Sequence, residues 1–135
     1  MKRKDIIILI TRKLPEKIEK KLKEKFNVIP NKTDKKFSYV ELKKKVSEVD
    51  ILIPCVSDTI DASIIKSAKR LKLIANFGNG VDNLDLVTAR EEDVIITNPP
   101  DVLTEDTADL VLTLVLMISR KVVEAQKKIS GGRWS

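Results

Sequence analysis

The chain has 135 residues, 42% of them hydrophobic and 34% charged. That balance belongs to soluble, folded chains with a real core and excludes a disordered segment or a fibre. Net charge is +6 and the pI about 9.4, but aromatic residues are only 4% and lysine far outnumbers arginine, so a nucleic-acid partner is not expected.

In chain order, residues 5–11 (DIIILIT) form a short β-branched apolar run, the pattern of a strand buried on both faces. Charges return at Arg12 and Lys13, so this N-terminus does not read as a signal peptide. Pro15 opens a helix with Ile18, Leu22 and Phe26 on one face. Residues 26–29 form a second strand, 31–37 a polar loop, and 39–49 a helix that turns Val40, Leu42, Val46 and Val49 inward. Residues 50–56 form a third strand, whose Pro54 belongs at its end. A helix at 61–70 takes Asp61 as its N-cap. Residues 71–77 are a fourth strand, 84–92 a short helix and 94–97 a fifth strand. One long helix then runs from about Thr104 to Ile129. Thr104 is placed to cap it, and Lys127, Lys128, Gly131 and Gly132 close it.

Residues 1–50 hold 16 Lys/Arg against 8 Asp/Glu. These lysines are interleaved with glutamates on amphipathic helices, which is the pattern of a solvated face. The single cysteine, Cys55, excludes an intrachain disulfide, favours a reducing compartment and reads as a buried core thiol. The longest apolar stretch, 110–118, falls far short of the roughly 20 residues a membrane span needs. A cytoplasmic protein without a membrane partner is expected. That same stretch is apolar almost all round and needs cover on every side. Self-association into a homodimer would supply it. The residues Gly-Gly-Arg-Trp-Ser at 131–135 read as a chain leaving one domain.

Alternation of strand and helix with short connections implies right-handed crossovers. The expected fold is α/β: a flavodoxin-like, doubly wound, parallel five-stranded sheet with helices on both faces, then a long interdomain helix. Residues 1–103 make one domain, and 104–135 the helix and the start of a linker. In such sheets ligands lie beyond the carboxyl ends of the strands. Three segments fall there: PCVSD at 54–58, FGNGVDN at 77–83 and NPPDVLTE at 98–105.

Gly78 and Gly80 open a G-x-G pattern, but the third glycine of the dinucleotide fingerprint is missing and the strand is the fourth rather than the first. The fingerprint is rejected. Two readings of the glycines stay open: a turn in which they relieve strain, or a set of backbone N–H groups that hold an anion.

The stretch from Leu73 to Ala125 resembles the D-2-hydroxyacid dehydrogenases, in particular their glyoxylate/hydroxypyruvate reductase branch. The resemblance rests on the G-x-G-x-D-N-L-D loop at 78–85, the T-N-x-P at 97–100 and the D-V-L-T-x-x-T-A-D at 101–109. A further loop, CVSDTIDASII at 55–65, also resembles the family. The resemblance implies a substrate-binding domain for a small 2-keto or 2-hydroxy acid. A Rossmann domain that binds NAD or NADP would follow, and this sequence does not contain it. The family's catalytic arginine, glutamate and histidine belong to or beyond that domain. The sequence has no histidine, so no catalytic residue is assigned within it, no metal site is expected, and no cofactor is expected on this chain alone.

By resemblance, the N–H groups of Asn79 and Gly80 hold the substrate carboxylate, with Gly78 beside them. Asn79 replaces a small aliphatic residue and makes the pocket more polar. Ser57 lines the pocket or is a turn hydroxyl. Thr104 lies near the cofactor or caps its helix. Asp82 and Asp85 are acid/base candidates by type, but caps and loop hydrogen bonds are the stronger reading. A reading from a different class is a free-standing flavodoxin-like interaction or small-anion-binding module.

Overall fold

The computed structural model describes residues 3–132. The chain divides into two compact units, one ending at Pro100 and the other beginning at Asp101. In the first unit a 3-10 turn, Arg3–Asp5, leads into β1 (Ile7–Ile10), α1 (Glu16–Lys25), β2 (Asn27–Ile29), α2 (Tyr39–Val46) and β3 (Ile51–Ile53). Then follow α3 (Ala62–Ser67), β4 (Leu73–Ala75), α4 (Leu86–Glu91) and β5 (Ile95–Thr97). The five strands form one parallel sheet in the order β2-β1-β3-β4-β5. That is the doubly wound order in which the chain reverses direction between β1 and β3.

The period-2 alternation of the strands sorts the core into two layers. Leu9, Leu52 and Ile74 point to one face and pack with Leu42, Val46, Ile64, Ile65 and Ala89 of α2, α3 and α4. Ile8, Ile10, Ile51 and Ile53 point to the other face, against Leu22 of α1 and Phe26 at its end. Cover on both faces explains why the central strands are near-continuous aliphatic runs.

The expected elements are present, with shorter bounds. β3 stops at Pro54, which has no N–H for the ladder, although its carbonyl still accepts from Phe77 N at 2.7 Å. α2 ends at Val46. Val40, expected inward, is 75% exposed. It lies two residues from Leu42, about 200° round the helix from the buried Leu42–Val46 stripe. Val49 is buried as expected, but from the loop after α2.

Asp61 caps α3, accepting from Ile64 N at 2.9 Å, and Asp85 caps α4, accepting from Thr88 N at 2.9 Å. Ser38 and Glu41 form a reciprocal capping box on α2. The Asp85 carboxyl is held below its ordinary value of 3.8, first by the hydrogen bond from Thr88 N and also by that from the Thr88 hydroxyl. A depressed folded value means that the cap's contribution is present above the unfolded pKa. It is lost as pH falls through the folded value. Asp85→Asn keeps an acceptor that does not titrate. Its melting temperature is therefore expected to fall less than the parent's between about pH 5 and pH 2. Parallel slopes for the two proteins would contradict this assignment.

The second unit departs from the expected single helix. α5 (Thr104–Ser119) and α6 (Val122–Ser130) are separated by Arg120 and by Lys121, which has a left-handed backbone (φ 50°). A left-handed non-glycine residue cannot continue an α-helix and costs about 1–2 kcal/mol. No Gly or Pro marks the break, so nothing local in the sequence announced it. α6 closes at Gly131, followed by Gly132 at φ 66°. Arg133, Trp134 and Ser135 of the expected linker lie outside the described residues. Among the described residues no helix is long and apolar enough to cross a membrane.

Candidate substrate site

Three loops meet at the carboxyl ends of β3, β4 and β5. Backbone bonds lace them together. Cys55 pairs with Phe77 and Ile60 with Leu84 as parallel bridges. Asn76 N donates to Thr97 O at 2.7 Å, and Ile60 N to Asn83 O at 2.9 Å. The loops are therefore extensions of the sheet.

Below them lies a polar network that hydrophobic patterning did not reveal. Asp58 is 1% exposed. Its Oδ2 accepts from the Thr11 hydroxyl and, at 2.9 Å, from Cys55 N, while its Oδ1 is buried without a hydrogen-bond partner. Asn83 Nδ2 reaches Cys55 O at 3.3 Å and Asp58 O at 3.2 Å, bridging the first loop to the second. Asn76 and Asn83 face each other carboxamide to carboxamide, at 3.3 and 3.4 Å. Cys55 is half-buried, not the buried core thiol expected. It lies beyond Pro54, where the chain leaves the sheet.

The glycines are not there to relieve strain. Among the described residues only Gly132 is a glycine with positive φ. A Cβ at Gly78 would lie 2.1 Å from Val56 Cγ1, an overlap that fixes Gly78 by packing. A Cβ at Gly80 would meet nothing closer than Asp82 Oδ2 at 3.6 Å. Nothing in the fold itself requires glycine at 80. Gly80 is exposed. Among the described residues none accepts a hydrogen bond from the N–H groups of Asn79 or Gly80.

Gly78→Ala is expected to cost about 1–2 kcal/mol, because Val56 must leave its rotamer or the loop must shift. Val56→Ala in the same chain should recover most of that loss. Urea titration of the two single variants and the double variant measures the coupling, and additive losses would refute the packing account.

Ser57 is exposed in the first loop, and Asp82 is exposed in the second. Asp85 serves as the α4 cap. Thr104 is not a cap: Leu103 occupies the N-cap position without a side-chain cap bond, and Thr104 is already helical. Asp101, at φ 55°, turns the chain just before the helix, which brings Leu103 to the boundary. Among the described residues no three His, Cys, Asp or Glu side chains are grouped to hold a metal ion.

The family model described as D-isomer specific 2-hydroxyacid dehydrogenase, catalytic domain, matches residues 8–131. The chain belongs to this family. Glyoxylate reductases of Thermococcus onnurineus and Pyrococcus horikoshii are 42% and 38% identical to it over 127 residues, 94% of the chain. The chain spans 38% of the length of each of these relatives. A crystal structure of a Thermus thermophilus protein superposes with a TM-score of 0.81 at 41% identity, covering 96% of this chain and 42% of that one. An NADPH-dependent glyoxylate/hydroxypyruvate reductase from Sinorhizobium meliloti, solved with NADP and malonate, gives 0.75 at 26% identity, covering 96% and 39%.

In this 2-hydroxyacid dehydrogenase chain the loop at Gly78 does not fit the dinucleotide fingerprint. Asn83 stands where the third glycine of the fingerprint would be. Its carboxamide is used to join two loops, so it cannot also permit close packing of strand and helix.

Proposed function

We propose that this chain supplies the substrate-binding part of an NAD(P)-dependent reductase of small 2-keto acids such as glyoxylate or hydroxypyruvate. Residues 1–103 form the substrate domain and 104–135 the connection to a nucleotide-binding domain. The observation that carries the reading is the pair of adjacent N–H groups at Asn79, half-buried, and Gly80, exposed, neither of which has an acceptor among the described residues. They lie at the carboxyl edge of a parallel sheet, where open α/β folds bind ligands.

Two adjacent amide donors suit a carboxylate. Gly80 admits it to the backbone, and Gly78 holds the loop against Val56. Ser57 lines the rim. The Asn79 carboxamide gives the pocket a polar wall. Thr104, in the first turn of α5, is the residue of this chain that contacts the nucleotide of the other domain. The nicotinamide supplies the hydride when bound. The chain lacks histidine, so it brings no imidazole to protonate the keto oxygen. Its part is to bind and orient the acid. A second copy covers the apolar face of α5, and the protein works in the cytoplasm.

The purified 135-residue chain is expected to show no glyoxylate- or hydroxypyruvate-dependent oxidation of NADH or NADPH. Oxalate, an unreactive carboxylate probe, should shift the amide resonances of Asn79 and Gly80 in a nitrogen-15 spectrum. Turnover by the chain alone would overturn the division of labour. Shifts elsewhere, or none at these two amides, would overturn the carboxylate site.

A further inference from the structure

We infer that two asparagine carboxamides, those of Asn98 and Asn76, act as positioning residues that aim the Gly80 N–H outward. This rests on the proposal that the loop holds a carboxylate. Asn98 Nδ2 donates to the Asn79 carbonyl oxygen at 2.6 Å. Asn76 Nδ2 donates to the Gly80 carbonyl oxygen at 2.8 Å. These are the carbonyls immediately before and after the Gly80 amide nitrogen. Both partners are carbonyl oxygens, so each carboxamide must present its NH2 end.

The first of these bonds acts directly on the donor. The Asn79 carbonyl and the Gly80 N–H belong to one planar trans peptide and point in opposite directions. Holding the oxygen therefore fixes the direction of the hydrogen. A carbonyl that accepts a hydrogen bond also polarises its own peptide, which strengthens the N–H as a donor.

The second bond removes the competing arrangement. A glycine-containing bend can rotate a peptide unit at low cost. A rotated unit would turn a carbonyl oxygen toward the incoming anion and repel it. Asn76 blocks that rotation from below. It is 3% exposed and is itself held by Asn83, which is anchored on Cys55 O and Asp58 O. The bend is thus clamped from the β5 side by Asn98 and from the core side by Asn76. The N–H is presented without a left-handed residue anywhere from 76 to 84.

Asn98 is the better handle, because it is exposed and its loss spares the core, whereas Asn76→Ala endangers folding. In the ligand-free 135-residue chain, Asn98→Ala is expected to move the Gly80 amide resonance more than those of its neighbours. It should also lower the Gly80 heteronuclear NOE, with the melting temperature changed by no more than about 3 °C. Oxalate binding should weaken about three- to tenfold, and Asn98→Gln should recover part of it. An unchanged Gly80 resonance and NOE in Asn98→Ala would overturn the inference, whatever oxalate does. If the parent shows no oxalate shift at Asn79 and Gly80, the carboxylate reading fails, and the ligand-free spectra still decide whether Asn98 aims the amide. Equal oxalate affinity in parent and Asn98→Ala would leave the site standing and refute the positioning role.

Discussion

Asp58→Ala is expected to lower the free energy of unfolding by about 2–3 kcal/mol, the largest effect of any single polar substitution in the first unit. The carboxyl is fully enclosed and accepts from the Thr11 hydroxyl and from Cys55 N. Truncation takes one acceptor away from each donor and opens a cavity at the root of the first loop. Two features limit the loss. Cys55 N retains the Thr11 Oγ1 at 3.2 Å, and Thr11 Oγ1 retains Ile53 O at 3.3 Å. Oδ1 has no partner, so its removal relieves an unsatisfied atom. Asp58→Asn keeps one acceptor oxygen and the shape, and should cost about half as much. Urea unfolding at constant m-value measures both. If Asp58→Ala stays within about 0.5 kcal/mol of the parent, the buried network is not a structural anchor.

This network also marks the limit of what was legible. The sheet was readable because each strand is an aliphatic run between turn residues, and because parallel pairing buries both faces. The caps at Asp61 and Asp85 are readable from local residue type, and Ser38-x-x-Glu41 carries a capping-box signal as well. The carboxyl-end loops were found from topology alone, and the glycines from a pattern the family shares. What composition hid was the partnership of Thr11, Asp58, Asn76, Asn83 and Asn98. These residues are polar and scattered over nearly ninety positions, and each looks like an ordinary loop residue. Only the fold brings β1, β3, β4 and β5 side by side so that they meet. The packing role of Gly78 is not legible in the sequence for a related reason. Its partner, Val56, is distant in sequence, and the overlap exists only once Cys55 and Phe77 pair.

Leu114→Lys is expected to weaken self-association of the chain by about a hundredfold. In α5 the residues Leu110, Val111, Leu112, Leu114, Val115, Leu116 and Ile118 are all exposed, Ile118 by 77%. An amphipathic surface helix keeps one polar side for water, and residues 110–118 have none beyond Thr113. Each such side chain gains about 1.5–3 kcal/mol on full burial, so leaving seven in water is a strong drive to association. Part of that gain is consumed by lost rigid-body freedom and side-chain ordering, and a second copy covers only the side chains on the face it meets. A lysine at 114 sits in the middle of the stretch, and its ammonium must be desolvated or the packing opened around it. A cost near 3 kcal/mol corresponds to about two decades in Kd. Val40→Lys is the control. Val40 is nearly as exposed as Ile118 but has only Tyr39 beside it as an exposed hydrophobic residue of α2, and its replacement should leave association unchanged. Sedimentation velocity over a wide concentration range reads all three proteins. A parent that stays monomeric throughout, or a Leu114→Lys profile that overlays the parent's, would remove α5 as the surface between copies.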